Sequence, residues 1–196
     1  MIRVGLTGGI GSGKTTVGRV FRTMGIPFFE ADAEGRRLLV NDLGLKHAVV
    51  ERFGASVLKE DAIDRAALAS IVFQDAAALK DLNALIHPAV RAAFDRWTSE
   101  QRAPYVMMEA AVLAESAGHR TMDRIVVVSA PEAIRIQRVM ERDGVREDAV
   151  RARMANQVSE AERLAIADHV IHNNDSRLVI PQVVEVHAAL LKFAGA

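Results

Sequence analysis

The stretch that most narrows what this chain can become is Gly8-Gly9-Ile10-Gly11-Ser12-Gly13-Lys14-Thr15, which fits the pattern G-x-x-x-x-G-K-[ST] in full. Ahead of it, Ile2-Arg3-Val4-Gly5-Leu6-Thr7 reads as a short, mostly buried strand, and residues 16–24 behind it read as a helix. Strand, loop and helix in that order are the setting in which the pattern works. Glycines accept dihedrals that side chains disfavour, so consecutive N–H groups turn inward and make a nest for phosphate oxygens. The N-terminus of the helix adds partial positive charge behind the nest. The expected cradle is Gly9, Ile10, Gly11, Ser12, Gly13, Lys14, Thr15 and Thr16. Within it Lys14 reaches the β- and γ-phosphates and the Thr15 hydroxyl ligates magnesium. The chain is expected to bind a nucleoside triphosphate.

Composition bounds the rest. A chain of 196 residues, half of them hydrophobic, can bury a substantial core as one domain with an inserted lobe. Its 25 lysines and arginines balance 25 aspartates and glutamates, so no whole-chain field draws it to nucleic acid or membrane. Without cysteine there is no disulfide scaffold, thiolate metal site or cysteine nucleophile. The six histidines lack metal-binding spacing: His169 and His172 lie three apart on an expected strand, which points them to opposite faces. No apolar run is long enough to span a bilayer, and the N-terminus enters the first strand with no signal peptide, so a cytoplasmic protein is expected.

Along the chain, Ile26-Pro27-Phe28-Phe29-Glu30 reads as a second strand ending at the polar Asp32, and residues 33–41 as a helix. Residues 45–97 read as helical in several pieces, punctuated by Gly54 and Pro88, with no strong strand signal; such a length suggests an inserted helical lobe. Pro88 suits the first position of a helix reaching about Glu100, with His87 near its cap. Tyr105-Val106-Met107-Met108-Glu109 and Arg124-Ile125-Val126-Val127-Val128-Ser129 are continuous apolar runs, as parallel strands covered on both faces require. Ser129-Ala130-Pro131-Glu132 has capping-box spacing for the next helix, which Gly144 interrupts. A segment at about 147–157 follows, then a helix capped by Ser159-Glu160-Ala161-Glu162, a last strand at His169-Val170-Ile171-His172 and a closing helix at 181–192. Strands alternating with helices predict an α/β fold with a mainly parallel five-stranded sheet of the P-loop NTPase type. The expected division is a core of residues 1–32, 101–130 and 165–196, a helical substrate lobe at about 33–100 and a small helical lid at about 131–164.

In such sheets ligands bind beyond the carboxyl ends of the strands, which turns attention to the residues that end them. Asp32, after the second strand, is the candidate general base for an attacking hydroxyl; an aspartate there also suits capping of the next helix. Glu109, ending the third strand, sits where an acid can organise magnesium through water or face the acceptor, and Asp32 could share that metal role. Arg135, Arg138 and Arg142 recur at i, i+3 and i+7, one narrow sector of a helix, and Gly144 follows as a hinge-like break. A row of guanidinium groups beside a break suits a closing lid that neutralises phosphoryl charge, with Arg138 and Arg142 as the phosphate contacts; the pattern also suits a solvated face paired with Glu132, Glu141 and Asp143. Arg36 and Arg37, one helical turn past Asp32, are candidate contacts for a phosphate-bearing acceptor, though lone surface arginines are common; His87 suits either a substrate contact or a helix cap. Asn173-Asn174-Asp175 suits either a loop reading an adenine edge, through Asn174, or an ordinary asparagine turn.

An ordered set of segments resembles the dephospho-coenzyme A kinase family over nearly the whole chain: Leu6 to Thr15, Ala31-Asp32, Asn83-Ala84-Leu85-Ile86-His87-Pro88, Arg138-Val139-Met140-Glu141-Arg142-Asp143, Ala165-Ile166-Ala167-Asp168-His169-Val170-Ile171 and Asn173-Asn174. The resemblance implies ATP-dependent phosphorylation of the ribose 3′-hydroxyl of dephospho-coenzyme A, giving coenzyme A and ADP, the last step of coenzyme A biosynthesis. It implies ATP and Mg2+ as cofactors and a P-loop core with a coenzyme-binding lobe and an arginine-bearing lid. It makes Asp32 the catalytic aspartate, Lys14 and Thr15 the phosphate and magnesium residues, Arg138 and Arg142 the lid residues, and the Asn173-Asn174 loop the adenine site. The chain departs from the family pattern in having Glu30 where many members have aspartate, and Glu109-Ala110-Ala111-Val112-Leu113 where many have aspartate-valine-proline-leucine-leucine. The expected partner is the small-molecule substrate, with neither nucleic acid nor membrane, and the expected assembly a monomer or weak homo-oligomer. The competing readings are a kinase for a nucleotide or shikimate-like acceptor, and a nucleotide-dependent switch. The switch is disfavoured because the chain has no Asn-Lys-x-Asp guanine-reading motif.

Overall fold

Apolar runs without polar alternation have two faces to bury, and parallel strands flanked by helices bury both. The computed structural model describes residues 1–72, 74–114 and 118–196. In chain order its elements are β1 (Ile2–Thr7), α1 (Lys14–Thr23), β2 (Phe28–Glu30), α2 (Ala31–Asn41), α3 (Leu43–Phe53), β3 (Leu58–Lys59), β4 (Ala62–Ile63), α4 (Arg65–Val72), α5 (Ala76–Ser99), β5 (Tyr105–Glu109), β6 (Arg124–Ser129), α6 (Glu132–Asp143), α7 (Glu147–Ala155), α8 (Glu160–Ala165), β7 (His169–His172) and α9 (Val179–Ala194). Two compact units emerge: residues 1–30 with 101–196, and residues 31–100.

The first unit is built on a five-stranded sheet, β2-β5-β1-β6-β7, in which every neighbouring pair is parallel. Its register sets Leu6 and Glu30 each opposite Glu109, so β1, β2 and β5 end level. Val4, Leu6, Met107, Val126, Val128 and Ile171 from the strands pack against Val17 and Phe21 of α1 and Val183, Val186 and Leu190 of α9. Each such side chain contributes about 1.5–3 kcal/mol by leaving water. On the other face, a Cβ on Gly5 would fall 2.5 Å from Leu113 Cδ2 and 2.9 Å from Ile125 Cδ1, so these side chains pack directly on the β1 backbone. The buried Tyr105 hydroxyl meets Nδ1 of His187 at 2.7 Å. Burial pushes the phenol up and the imidazole down, so both are neutral and can share that hydrogen bond without burying a charge.

The second unit is a helical cluster around α5. Leu38, Leu39, Leu45, Val49, Leu68, Val72, Leu82, Val90 and Phe94 are buried in it. Asp42 and Asp75 cap α3 and α5 by accepting the Leu45 and Ala77 amides at 2.9 and 2.8 Å. Gly35 lets α2 approach α5 closely: a Cβ there would lie 3.3 Å from Ile86 Cγ2.

Three local expectations are corrected. Pro88 does not start a helix; α5 runs through it. An internal proline costs about 3 kcal/mol, and the buried stripe Ala78, Leu82, Val90, Ala93 and Phe94 continues across it, which offsets that cost. Ser129 does not cap α6: it pairs with His172 as the last residue of β6, and the helix starts after Pro131 with no side-chain cap. The 45–97 region contains a hairpin, β3–β4, turning on Glu60 and Asp61, both at positive φ; without an Asn-Gly signal the turn is hard to read in sequence. The capping box at Ser159 and Glu162 does form, and Gly144 ends α6 in the left-handed conformation. Among the described residues no helix is long and apolar enough to cross a membrane.

Candidate active site

The loop between β1 and α1 has the conformation its glycines allow. Gly11 and Gly13 have φ of +78° and +93°, in the left-handed region open to glycine. The others answer to close neighbours: a Cβ on Gly9 would strike the Arg135 guanidinium, and one on Gly8 would strike the Val128 carbonyl. Lys14 Nζ curls back and donates to the Gly8 carbonyl at 2.7 Å. Its ammonium thereby stands over the cradle, where phosphate oxygens would meet it. Thr15 and Thr16 are exposed at the start of α1.

Three later segments hold this loop. Gln157, between α7 and α8, accepts the Ile10 amide on its Oε1 at 2.9 Å, while the Ile10 side chain packs on Ile136, Val139 and Val150 of α6 and α7. Asn173, after β7, donates from Nδ2 to the Ser12 carbonyl at 2.8 Å. Arg138 donates to the Asn173 carbonyl at 3.2 Å and to Asp175 Oδ1 at 2.6 Å. The loop is thus tied to α6 and to the end of β7 through Asn173.

The three arginines of α6 do not share one environment. Arg135 is 7% exposed, Arg138 is half-buried, and Arg142 is exposed with both Asp143 oxygens on it at 2.7 and 3.0 Å. The hydrogen bond from Arg142, and then that from Arg153, pulls the Asp143 carboxyl down to about 2. A cavity of about 360 Å³ opens beyond the carboxyl ends of β6 and β7, lined by Ser129, Pro131, Arg135, His172 and Asn174 among others. Asn174 makes a local turn as well, its Oδ1 accepting from the Ser176 hydroxyl at 2.9 Å.

At the level ends of β2 and β5, Glu30 and Glu109 form an acidic cross-strand pair. Glu30 is held by Arg22 of α1 at 2.5 Å, and the same guanidinium lies 4.6 Å from the Phe28 ring centroid. The longer acid at position 30 has a fixed structural partner. After β5 the Ala110 amide donates to the Leu6 carbonyl at 3.1 Å, and Leu113 is buried at 1% exposure.

Asp32, Arg36 and His87 belong to the 31–100 unit. Asp32 lies inside the first turn of α2 rather than ahead of it. It is exposed, and its carboxylate makes no hydrogen bond or ion pair with a described residue. Arg36, one turn on, is likewise exposed and has no acid partner among the described residues, whereas Arg37 is held by Glu34 at 2.6 Å. Burial, then the Arg91 charge, holds the His87 imidazole below its ordinary value against the opposing pull of Asp32. His87 is therefore neutral at pH 7, able to donate from one nitrogen and accept at the other.

Residues 2–178 match the CoaE family, dephospho-CoA kinase. The chain belongs to the dephospho-CoA kinase family. It is 44% identical to the dephospho-CoA kinase of Methylococcus capsulatus over 174 residues, 88% of each chain. Among solved structures it is similar to TT1252 from Thermus thermophilus, with TM-score 0.83, 33% identity and coverage of 98% and 97% of the two chains. The dephospho-CoA kinase from Campylobacter jejuni gives TM-score 0.69 at 27% identity, covering 97% and 98%. This is a family of kinases, so ATP is a substrate, and the partner it acts on is a small molecule. The match to P-loop kinases agrees with the parallel sheet and the loop geometry above.

Gln157, the anchoring of the phosphate loop by Asn173 and the special position of Arg135 are missing from a reading of the sequence. Gln157 carries no local signal, because its role is set by a contact 147 residues away in the chain. For Arg135 a signal exists: it is the arginine closest to the start of α6, in that helix's first turn and six residues after the end of β6.

Proposed function

We propose that this chain transfers the γ-phosphoryl group of ATP to the ribose 3′-hydroxyl of dephospho-coenzyme A, giving coenzyme A and ADP. The observation that carries the proposal is the phosphate loop, with Gly11 and Gly13 left-handed and Lys14 folded over the cradle, on a chain of the dephospho-CoA kinase family. Residues 9–16 hold the triphosphate, and the α1 N-terminus adds its dipole. Asn174, lining the cavity beyond β6 and β7, reads the adenine. Lys14, Arg138 and Arg142 meet the charge of the transferring group; for the two arginines this means exchanging Asp175 and Asp143 for phosphate oxygens. Asp32 accepts the hydroxyl proton, and Arg36, His87 and Glu109 contact the acceptor.

Among the described residues no three histidine or acidic side chains are grouped to hold a metal by themselves. An exposed Thr15 hydroxyl, with Glu109 or Asp32 acting through water, is nevertheless the sparse oxygen donor set that suits magnesium arriving on a nucleotide. When bound, Mg2+ would neutralise phosphate charge. The helical unit would receive the coenzyme, and residues 131–164 would close as a lid that excludes water. The enzyme acts as a cytoplasmic monomer or weak homo-oligomer, without nucleic acid or membrane.

The test is ADP formation from ATP and magnesium with dephospho-coenzyme A, nucleotides, shikimate or buffer. ADP that depends on dephospho-coenzyme A is the expected result. ADP that depends on another alcohol would keep the kinase and replace the acceptor.

A further inference from the structure

Arg135 stands apart from every other arginine between Pro131 and Leu164. Arg138, Arg142, Arg146, Arg151, Arg153 and Arg163 each meet a carboxylate within ion-pair distance. Arg135 meets none among the described residues, although it is more than nine-tenths buried. Among the described residues its one hydrogen bond runs from Nε to the Ala130 carbonyl at 3.1 Å, which fixes one edge of the guanidinium and leaves its two terminal nitrogens without a partner among those residues. Glu132 and Glu160 line the same cavity; Arg151 engages Glu132 at 2.7 Å and Arg163 engages Oε2 of Glu160 at 2.9 Å, while Oε1 of Glu160 is buried without a hydrogen-bond partner and outside ion-pair distance of Arg135. A buried cation without a counter-charge is costly and is retained where an anion completes it. The place of that anion is set by two contacts: the guanidinium lies against Gly9 of the phosphate cradle, and the Arg135 carbonyl lies against Gly11.

We infer that Arg135 is a nucleotide-binding residue whose guanidinium takes the phosphate chain of ATP from the Gly9 side of the cradle. It is the one arginine of α6 that need not leave an acid to do so, because no carboxylate among the described residues lies within ion-pair distance of it. The geometry of a planar fork anchored at Nε with both NH2 groups free suits paired phosphate oxygens. The inference rests on the reading of the loop as an ATP site and adds a ligand to it.

The experiment is calorimetric titration of Arg135→Gln, Arg135→Met and Arg135→Lys with ATP, inorganic tripolyphosphate and adenosine. The expected result is a rise of about tenfold or more in the Kd for ATP and tripolyphosphate in the Gln and Met variants, the scale of a lost charge-assisted hydrogen bond. Adenosine affinity is unchanged, and the Lys variant recovers most of the loss. A residue that only props the loop would move all three ligands together, or fail to be rescued by lysine, and either result overturns the inference. So does failure of both Gln and Met variants to fold, since removing an uncompensated charge should leave the ligand-free protein at least as stable. Lys14→Ala is the control: if it weakens ATP binding while Arg135→Gln does not, only this inference fails. If neither change affects ATP, the ATP site itself is wrong.

Discussion

Asp32→Asn is expected to lower turnover by about 10²–10⁴-fold, the usual range for removing a general base, with little change in the Kd for ATP. Asparagine keeps the size of the side chain and its place in the first turn of α2, so the loss isolates the proton-accepting function. The reason to single out this carboxylate is its lack of partners. Glu34, in the same turn, is held by Arg37, and Glu30, two residues upstream, by Arg22. Asp32 has no hydrogen bond or ion pair among the described residues. A carboxylate committed to an arginine must break that pair before it can meet a substrate hydroxyl, whereas an unpaired one need not. The check is kcat at saturating ATP and dephospho-coenzyme A, alongside calorimetric ATP binding. Unchanged turnover would remove Asp32 from the chemistry.

Lys14→Ala is expected to lower kcat by about 10²–10³-fold, the scale seen when one preorganised donor to a developing charge is removed, and to weaken ATP by about tenfold. In the ligand-free loop the ammonium rests on the Gly8 carbonyl, a neutral acceptor that a phosphate oxygen readily replaces. Lys14 begins α1, and its side chain is not part of the buried core. The melting temperature should therefore stay close to that of the wild type. A variant that melts early would point to a loop that lysine supports structurally, and a variant with normal kcat would place the transferring phosphate elsewhere.

Much of the fold was legible because its strongest signals are local. β5 and β6 are runs whose two-sided apolarity has a single economical solution, a covered parallel strand, and the observed ends of β1, β5, β6 and β7 match the segments read as strands. The box at Ser159 is likewise complete within four residues. The misreadings arose where distant packing overrode a local rule. Pro88 reads as a helix start, yet α5 carries its buried face straight past it. Ser129 has the right spacing for a cap, yet it is held in the ladder by His172. The candidate site divides in the same way. The phosphate loop announces itself by motif, because its conformation is a property of its own glycines. Arg135, Arg138 and Arg142 look equivalent by helical spacing, and only tertiary contacts separate a buried guanidinium with no acid partner among the described residues from one bound to Asp175 and one bound to Asp143. The anchoring of the loop by Gln157 and Asn173 is fixed by contacts 147 and 161 residues away in sequence, beyond any local pattern.

The central claim is where the phosphate goes. The most direct measurement incubates the protein with ATP, magnesium and dephospho-coenzyme A and follows the products by phosphorus NMR and chromatography. The account predicts one ADP for each new ribose 3′-phosphate monoester, co-eluting with coenzyme A, and little ADP when the acceptor is omitted. ADP forming equally without dephospho-coenzyme A, or a phosphate ester at any other hydroxyl, would contradict it.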